Sequence, residues 1–165
     1  MPLPDRPITG GCQCGAVRFR AESLGGAAIC HCRMCQKAFG GFFGPLVTGH
    51  GVVWTRDAPS WFESSDQARR GFCARCGTPL AYDTYEADGS IDLAIGALDD
   101  PTLAPPTRQV NPHDRLSFFE TLVALPTRGE EVRPHVEQRK GAPVISRQHP
   151  DHDTASWPPR QGHSA

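Results

Sequence analysis

The chain has 165 residues, 38% of them hydrophobic, and a formal net charge of −1. That length suits one ordinary domain with or without a tail, and the composition is that of a globular chain, which excludes wholesale disorder. Near-neutrality excludes bulk attraction to nucleic acid or to an anionic membrane surface.

Gly and Pro number 17 and 16, a share that predicts a turn-rich, mainly β chain. The first seven residues hold Pro2, Pro4 and Pro7 and no apolar core of the signal-peptide kind. No apolar run approaches the roughly 18 residues of a membrane span. The expected location is therefore cytoplasmic, with no membrane partner. Residues 17–21 alternate apolar and charged, the pattern of a half-buried strand. A short helix is expected from about Arg33 to Phe39, stopped by Gly40 and Gly41. Gly49, His50 and Gly51 read as a turn between two strands. Residues 91–95 alternate as far as Ala94, and Gly96 interrupts them. Asp99, Asp100, Pro101, Pro105 and Pro106 punctuate the next stretch of chain, and 116–125 is ambiguous. The aromatics Phe42, Phe43, Trp54, Trp61, Phe118 and Phe119 are expected in the core rather than in a pocket.

These elements predict one domain over residues 1–125. Residues 126–165 hold one aromatic residue, Trp157, several prolines and the histidines His135, His149, His152 and His163. Such a segment buries too little apolar surface to offset its ordering entropy, so it is expected to be a disordered tail.

The seven cysteines carry the chemistry. Cys12-Gln13-Cys14-Gly15 and Cys73-Ala74-Arg75-Cys76-Gly77 are two knuckles, each closed by a glycine that tolerates positive φ and lets backbone N–H groups turn toward the sulfurs. Together they supply four thiolates, the donor set of a closed tetrahedral zinc site. That site would tie two parts of the chain some sixty residues apart. Cys30, Cys32 and Cys35 form a separate triple, three ligands with one position open, as in catalytic zinc sites. The predicted helix starts among them, and its N–H groups favour thiolates there. His31 offers an alternative fourth ligand that would close the site, but flanking ligands at Cys30 and Cys32 would turn its side chain away. Reduced, buried cysteines without metal are the bland alternative. An iron–sulfur cluster fits the spacing less well. Arg69, Arg70 and Arg75 are too few for a nucleic-acid site, and two Zn²⁺ on seven thiolates would make the chain more negative still.

The three blocks 11–19, 30–37 and 70–80, taken with Gly96-Ala97-Leu98-Asp99-Asp100-Pro101, resemble the glutathione-dependent formaldehyde-activating enzyme family over roughly residues 8–125. The resemblance implies a zinc-bound antiparallel β-tent, the Mss4-like fold also used by methionine sulfoxide reductase B. It implies a structural zinc on Cys12, Cys14, Cys73 and Cys76, and a catalytic zinc on Cys30, Cys32 and Cys35. The implied activity is that of a carbon–sulfur lyase on a thiol–aldehyde adduct such as S-hydroxymethylglutathione, with glutathione as co-substrate. A non-catalytic zinc scaffold or thiol-binding module on the same fold is the second reading. Three thiolates leave zinc formally anionic, a weak Lewis acid suited to a soft sulfur ligand. Arg33, Lys37, Arg69, Arg70 and Arg75 are candidate cations for a thiol substrate's carboxylates. His50 and His113 are candidate acid–base groups, with a structural or surface role as the plainer expectation.

Overall fold

Short strands build nearly the whole architecture, as the turn-rich composition requires. The computed structural model describes residues 7–127 and 146–157. In chain order these are β1 (Ile8–Gly11), β2 (Arg18–Ala21), β3 (Ser23–Cys30), α1 (Arg33–Phe39), β4 (Gly44–His50), β5 (Val53–Arg56), β6 (Ser60–Glu63), β7 (Arg69–Phe72), β8 (Pro79–Asp83), β9 (Ile91–Ala94) and β10 (Arg108–Val110). Single 3-10 turns follow β9 and flank β10, and a longer one spans Phe119–Ala124, within the stretch whose sequence pattern is ambiguous. No helix among the described residues is long and apolar enough to cross a membrane.

The strands form two sheets, β1-β2-β5 and β10-β3-β4-β9-β8-β7-β6. Every pairing is antiparallel except β10 with β3. An isolated bridge from Gly10 to Leu98 links the small sheet to the segment after β9. The Gly49-His50-Gly51 stretch does separate two strands, but β4 runs through His50 and the chain reverses at Gly51. The flanking strands, β4 and β5, belong to different sheets.

In β2 the alternation works as expected for Phe19, which is fully buried, and for exposed Arg20. Phe19 meets Trp54 edge-on at 5.8 Å between ring centroids. Leu80, Leu93 and Val47 complete the largest buried side chains of the centre. Seven of the seventeen residues in the buried cluster are alanine, and two more are Cys12 and Cys73. A core this poor in large side chains gains modestly from burial. It therefore depends on other ties, and two cysteines sit where such a tie would act.

Helix α1 has the bounds expected from the sequence. The Cys32 sulfur caps its N-terminus by accepting the Cys35 N–H, and Gly40 closes it at φ 61° in the left-handed region. Phe42 and Phe118 depart from expectation. They are 45% and 43% exposed and pack edge-on against each other at 5.1 Å, outside the core.

Residues 146–157 lie against the first knuckle. The His149 N–H donates to the Gln13 carbonyl at 2.7 Å, and Arg56 donates to the carbonyls of both Gly15 and Thr154. His149 is buried beneath Trp157, ring centroids 5.1 Å apart. The rest of the expected tail, residues 128–145 and 158–165, lies outside the described residues, His135 and His163 among them. Gly15 makes this contact sterically exclusive. Its φ is +71°, and a Cβ there would overlap the His149 and Trp157 rings. Gly15→Ala is expected to displace 146–157, costing about 1–2 kcal/mol for the left-handed backbone alone. Faster tryptic cleavage after Arg147, with a lower unfolding midpoint, would register it; unchanged cleavage would show the contact to be dispensable.

Candidate metal centres

The two knuckles are built alike. In the first, the Cys12 N–H donates to the Val17 carbonyl and the Gly15 N–H to the Cys12 carbonyl. In the second, the Cys73 N–H donates to the Thr78 carbonyl and the Gly77 N–H to the Cys73 carbonyl. Both closing glycines take positive φ, +71° and +76°, as the Cys-x-Cys-Gly and Cys-x-x-Cys-Gly patterns lead one to expect. The knuckles are then pinned to each other. The Gln13 N–H donates to the Thr78 hydroxyl at 3.1 Å, and the Gln13 side-chain amide to the Cys76 carbonyl at 3.3 Å.

This brings the sulfurs of Cys12, Cys14, Cys73 and Cys76 within 4.8 Å of one another. Cys12 and Cys14 are 3.5 Å apart, and Cys14 and Cys73 3.8 Å. Tetrahedral zinc with Zn–S near 2.3 Å places its sulfurs about 3.8 Å apart. None of the seven cysteines is in a disulfide. Burial, with hydrogen bonds from the Cys14 S–H to neighbouring sulfurs, pushes Cys14 up to about 12. Against the upward pull of burial, hydrogen bonds from the Thr78 hydroxyl and N–H bring Cys76 down to about 6. Four thiols this close ionise together only around a cation, so the donor set fits a divalent metal.

The triple is assembled differently. Cys30 ends β3, Cys32 caps α1, and Cys35 is buried in the first turn. Their sulfurs also lie within 4.8 Å of one another, and His31 is not in the group. Its ring turns away, fully buried between Phe43 and Phe119 with Nε2 against the Gln109 side-chain oxygen at 2.8 Å. The side chain turns away from the triple, as expected of a residue between flanking ligands. His31 instead fastens β10 and the Phe119 turn beneath the triple.

Two side chains donate to these sulfurs from outside. The Arg70 guanidinium reaches Cys35 Sγ at 3.5 Å and lies over the Tyr82 ring at 4.6 Å. Asn111 Nδ2 reaches Cys30 Sγ at 3.6 Å from a left-handed backbone at φ 51°. Burial resists ionisation of Cys32. The Cys35 N–H, hydrogen bonds inside the triple and the Arg70 charge together pull its thiol below the usual range. Burial raises Cys35 to about 12 despite Arg70. One thiol poised to ionise beside two cationic or amide donors again fits a metal-binding set, here with three protein ligands.

Of the other sequence candidates, Arg69 points to the opposite face of β7, where it pairs with Asp83 at 2.8 Å and stacks on Trp61. Arg75 is exposed and pairs loosely with Asp57 at 3.5 Å. Arg33 donates to the Gln36 side chain, and Lys37 is exposed on α1. His50 sits at the end of β4 opposite to the end that pairs with Cys30. His113 is exposed in the turn after Asn111. Sequence reasoning misses Asn111 and Tyr82. The one local signal for Asn111 is the Asn-Pro step, which marks a turn without revealing where its amide points.

A mainly β chain with two cysteine centres, one of four sulfurs and one of three, defines a class of small β proteins with two candidate metal sites. Residues 7–114 match the family described as glutathione-dependent formaldehyde-activating enzyme, and the chain belongs to that family. A crystal structure of a Rhodobacter sphaeroides protein is similar in fold, at 20% identity and a TM-score of 0.50 over 62% of this chain and 99% of that one.

Proposed function

We propose that the protein is a zinc-dependent carbon–sulfur lyase of the formaldehyde-activating kind, acting on a thiol–aldehyde adduct such as S-hydroxymethylglutathione. Cys12, Cys14, Cys73 and Cys76 would hold a structural zinc, and Cys30, Cys32 and Cys35 a catalytic one. The observation that carries this reading is the triple itself: three sulfurs gathered with His31 turned away. Bound there, zinc would supply an open position for a soft sulfur and ease deprotonation of a thiol.

The remaining work falls to the chain. Arg70 offsets the negative charge that three thiolates and an incoming thiolate concentrate in one place. Asn111 and the Cys35 N–H hold the Cys30 and Cys32 sulfurs in fixed orientation. In the forming direction the substrate sulfur bonds to the aldehyde carbon, the carbonyl electron pair moves to oxygen, and that oxygen takes a proton from solvent. The lyase direction reverses each transfer.

Cys32→Ser tests the assignment. Zinc content is expected to fall by about one per chain, circular dichroism to stay unchanged, and adduct formation from glutathione and formaldehyde to be lost. Loss of the fold would place Cys32 in a structural centre. Unchanged turnover would remove the triple from catalysis.

A further inference from the structure

A cavity of about 300 Å³ opens between α1 and the strands β7 and β8, beside the triple. Its wall is formed by Ala38, Phe39, Phe62, Phe72 and Pro79, and among the described residues Arg70 is the one charged side chain lining it. We propose that this cavity seats the apolar arm of a short, singly anionic thiol whose carboxylate Arg70 receives, so that the three-cysteine centre prefers such a thiol to glutathione. The proposal rests on the reading of the triple as the reacting centre and names its substrate class.

Arg70 is both a wall of the cavity and a donor to Cys35. A group held by Arg70 is therefore held next to the sulfurs. The Arg70 Nε is buried with no hydrogen-bond partner among the described residues, so the guanidinium is held by Cys35 and the Tyr82 ring alone. Buried donors are rarely left so, and an Arg fork is shaped for a carboxylate. A carboxylate in the cavity would meet the edge of the guanidinium that lines it, since Nε itself is shielded.

Charge limits what else can enter. Glutathione brings two carboxylates and an ammonium group. Among the described residues the cavity lining holds one cation and no acidic side chain to receive the ammonium. Arg69 is committed to Asp83 and to the rings of Trp61 and Tyr85, and Arg75 to Asp57. Polar groups drawn into such a wall without partners are penalised, whereas an alkyl or aryl arm gains from burial there. The volume lies at the small end of ligand pockets, which run to about 300–1,000 Å³. Phe62 lines the cavity from the edge strand β6 and is 63% exposed.

The test is calorimetry on the zinc-loaded full chain with three probes: glutathione, a benzyl-bearing mercaptopropionate, and the same carboxylate without its thiol. The benzyl thiol is expected to bind at least about tenfold more tightly than glutathione. Its thiol-free counterpart is expected to bind more weakly than the benzyl thiol but measurably. Ala38→Phe, which fills the cavity from the helix surface, is expected to weaken both benzyl probes about tenfold or more. Zinc content and the unfolding midpoint report whether that variant is folded. Should it fail to fold, Phe62→Glu, at an exposed position, places a repelling charge beside the cavity and is expected to act in the same direction.

Tighter binding of glutathione, or benzyl binding indifferent to both substitutions, would overturn the proposal. If glutathione binding is then lost in Cys32→Ser, the triple remains the reacting centre and only the cavity assignment falls. If instead the thiol-free carboxylate binds in the cavity but no thiol responds to Cys32→Ser, the triple is not the reacting centre. The substrate assignment falls with it.

Discussion

Replacing Cys12 with serine is expected to cost the protein its fold. Cys12 is 2% exposed and belongs to the buried cluster that also holds Phe19, Leu80 and Leu93. Its sulfur accepts the Val17 N–H at 3.3 Å and lies 3.5 Å from Cys14. Through the four sulfurs the β1–β2 connection, in the small sheet, is bound to the β7–β8 connection, in the large one. Structural zinc in small domains contributes on the order of 10–16 kcal/mol of apparent binding free energy, and a domain's whole stability is about 5–15 kcal/mol. With an alanine-rich core, losing one thiolate should leave too little to hold the sheets together. Loss of the far-ultraviolet β spectrum and of both zinc ions is the expected readout. A folded Cys12→Ser protein with one zinc would instead show that the apolar core suffices. The contrast with Cys32→Ser matters here, because the triple joins β3 to α1 within six residues and spans no sheet boundary.

The triple and each of the two knuckles are legible from spacing because their geometry is local. A knuckle is made by two sulfurs and a glycine within a single turn, and helix α1 is framed by Cys32 and Gly40. The strand at 17–21 is legible for the same reason: alternation is a property of five consecutive residues. Pairing partners are not. Nothing near Gly49 or Gly51 tells that β4 and β5 go to different sheets, since that depends on β2 and β9 arriving from elsewhere. The aromatics show the same limit. Phe19 and Phe118 are equally apolar, yet one is fully buried and the other 43% exposed, because only packing decides which face is covered. Asn111 and Arg70 lie 81 and 35 residues from the cysteines they touch. The family match ends at residue 114, short of the 146–157 segment that closes over Gly15.

Arg18 is the clearest long-range case, and Arg18→Met is expected to destabilise the protein by about 3–5 kcal/mol, the usual cost of breaking a buried pair. By alternation Arg18 shares a face with exposed Arg20, yet it is 2% exposed, because the 99–100 turn and residues 146–157 cover it. It grips both oxygens of Asp99, at 2.8 and 2.5 Å, and reaches Asp153 at 2.6 Å. The two acids are not equivalent: the Asp99 side chain is 12% exposed and that of Asp153 is 49%. Methionine in place of Arg18 strands Asp99 with only the Thr9 hydroxyl as partner. Asp153→Asn, by contrast, is expected to cost about 1 kcal/mol or less, as for an exposed pair. Pairing Arg18→Met with Asp99→Leu should recover much of the loss by removing the stranded charge.

The pH dependence gives a further check. Burial opposes the Asp99 charge, but Arg18 and the Thr9 hydroxyl outweigh it and hold the carboxyl below its ordinary range. A lowered native value means that the pair contributes fully above the unfolded carboxylate range, near pH 4. Its contribution fades as pH falls through the depressed native value. Urea midpoints of wild type and Arg18→Met should therefore differ by roughly 2 M at neutral pH and begin to draw together as pH falls toward the carboxylate range. A gap that Asp99→Asn leaves unchanged at neutral pH would mean that Arg18 stabilises the fold by packing its methylene stem and not by its charge.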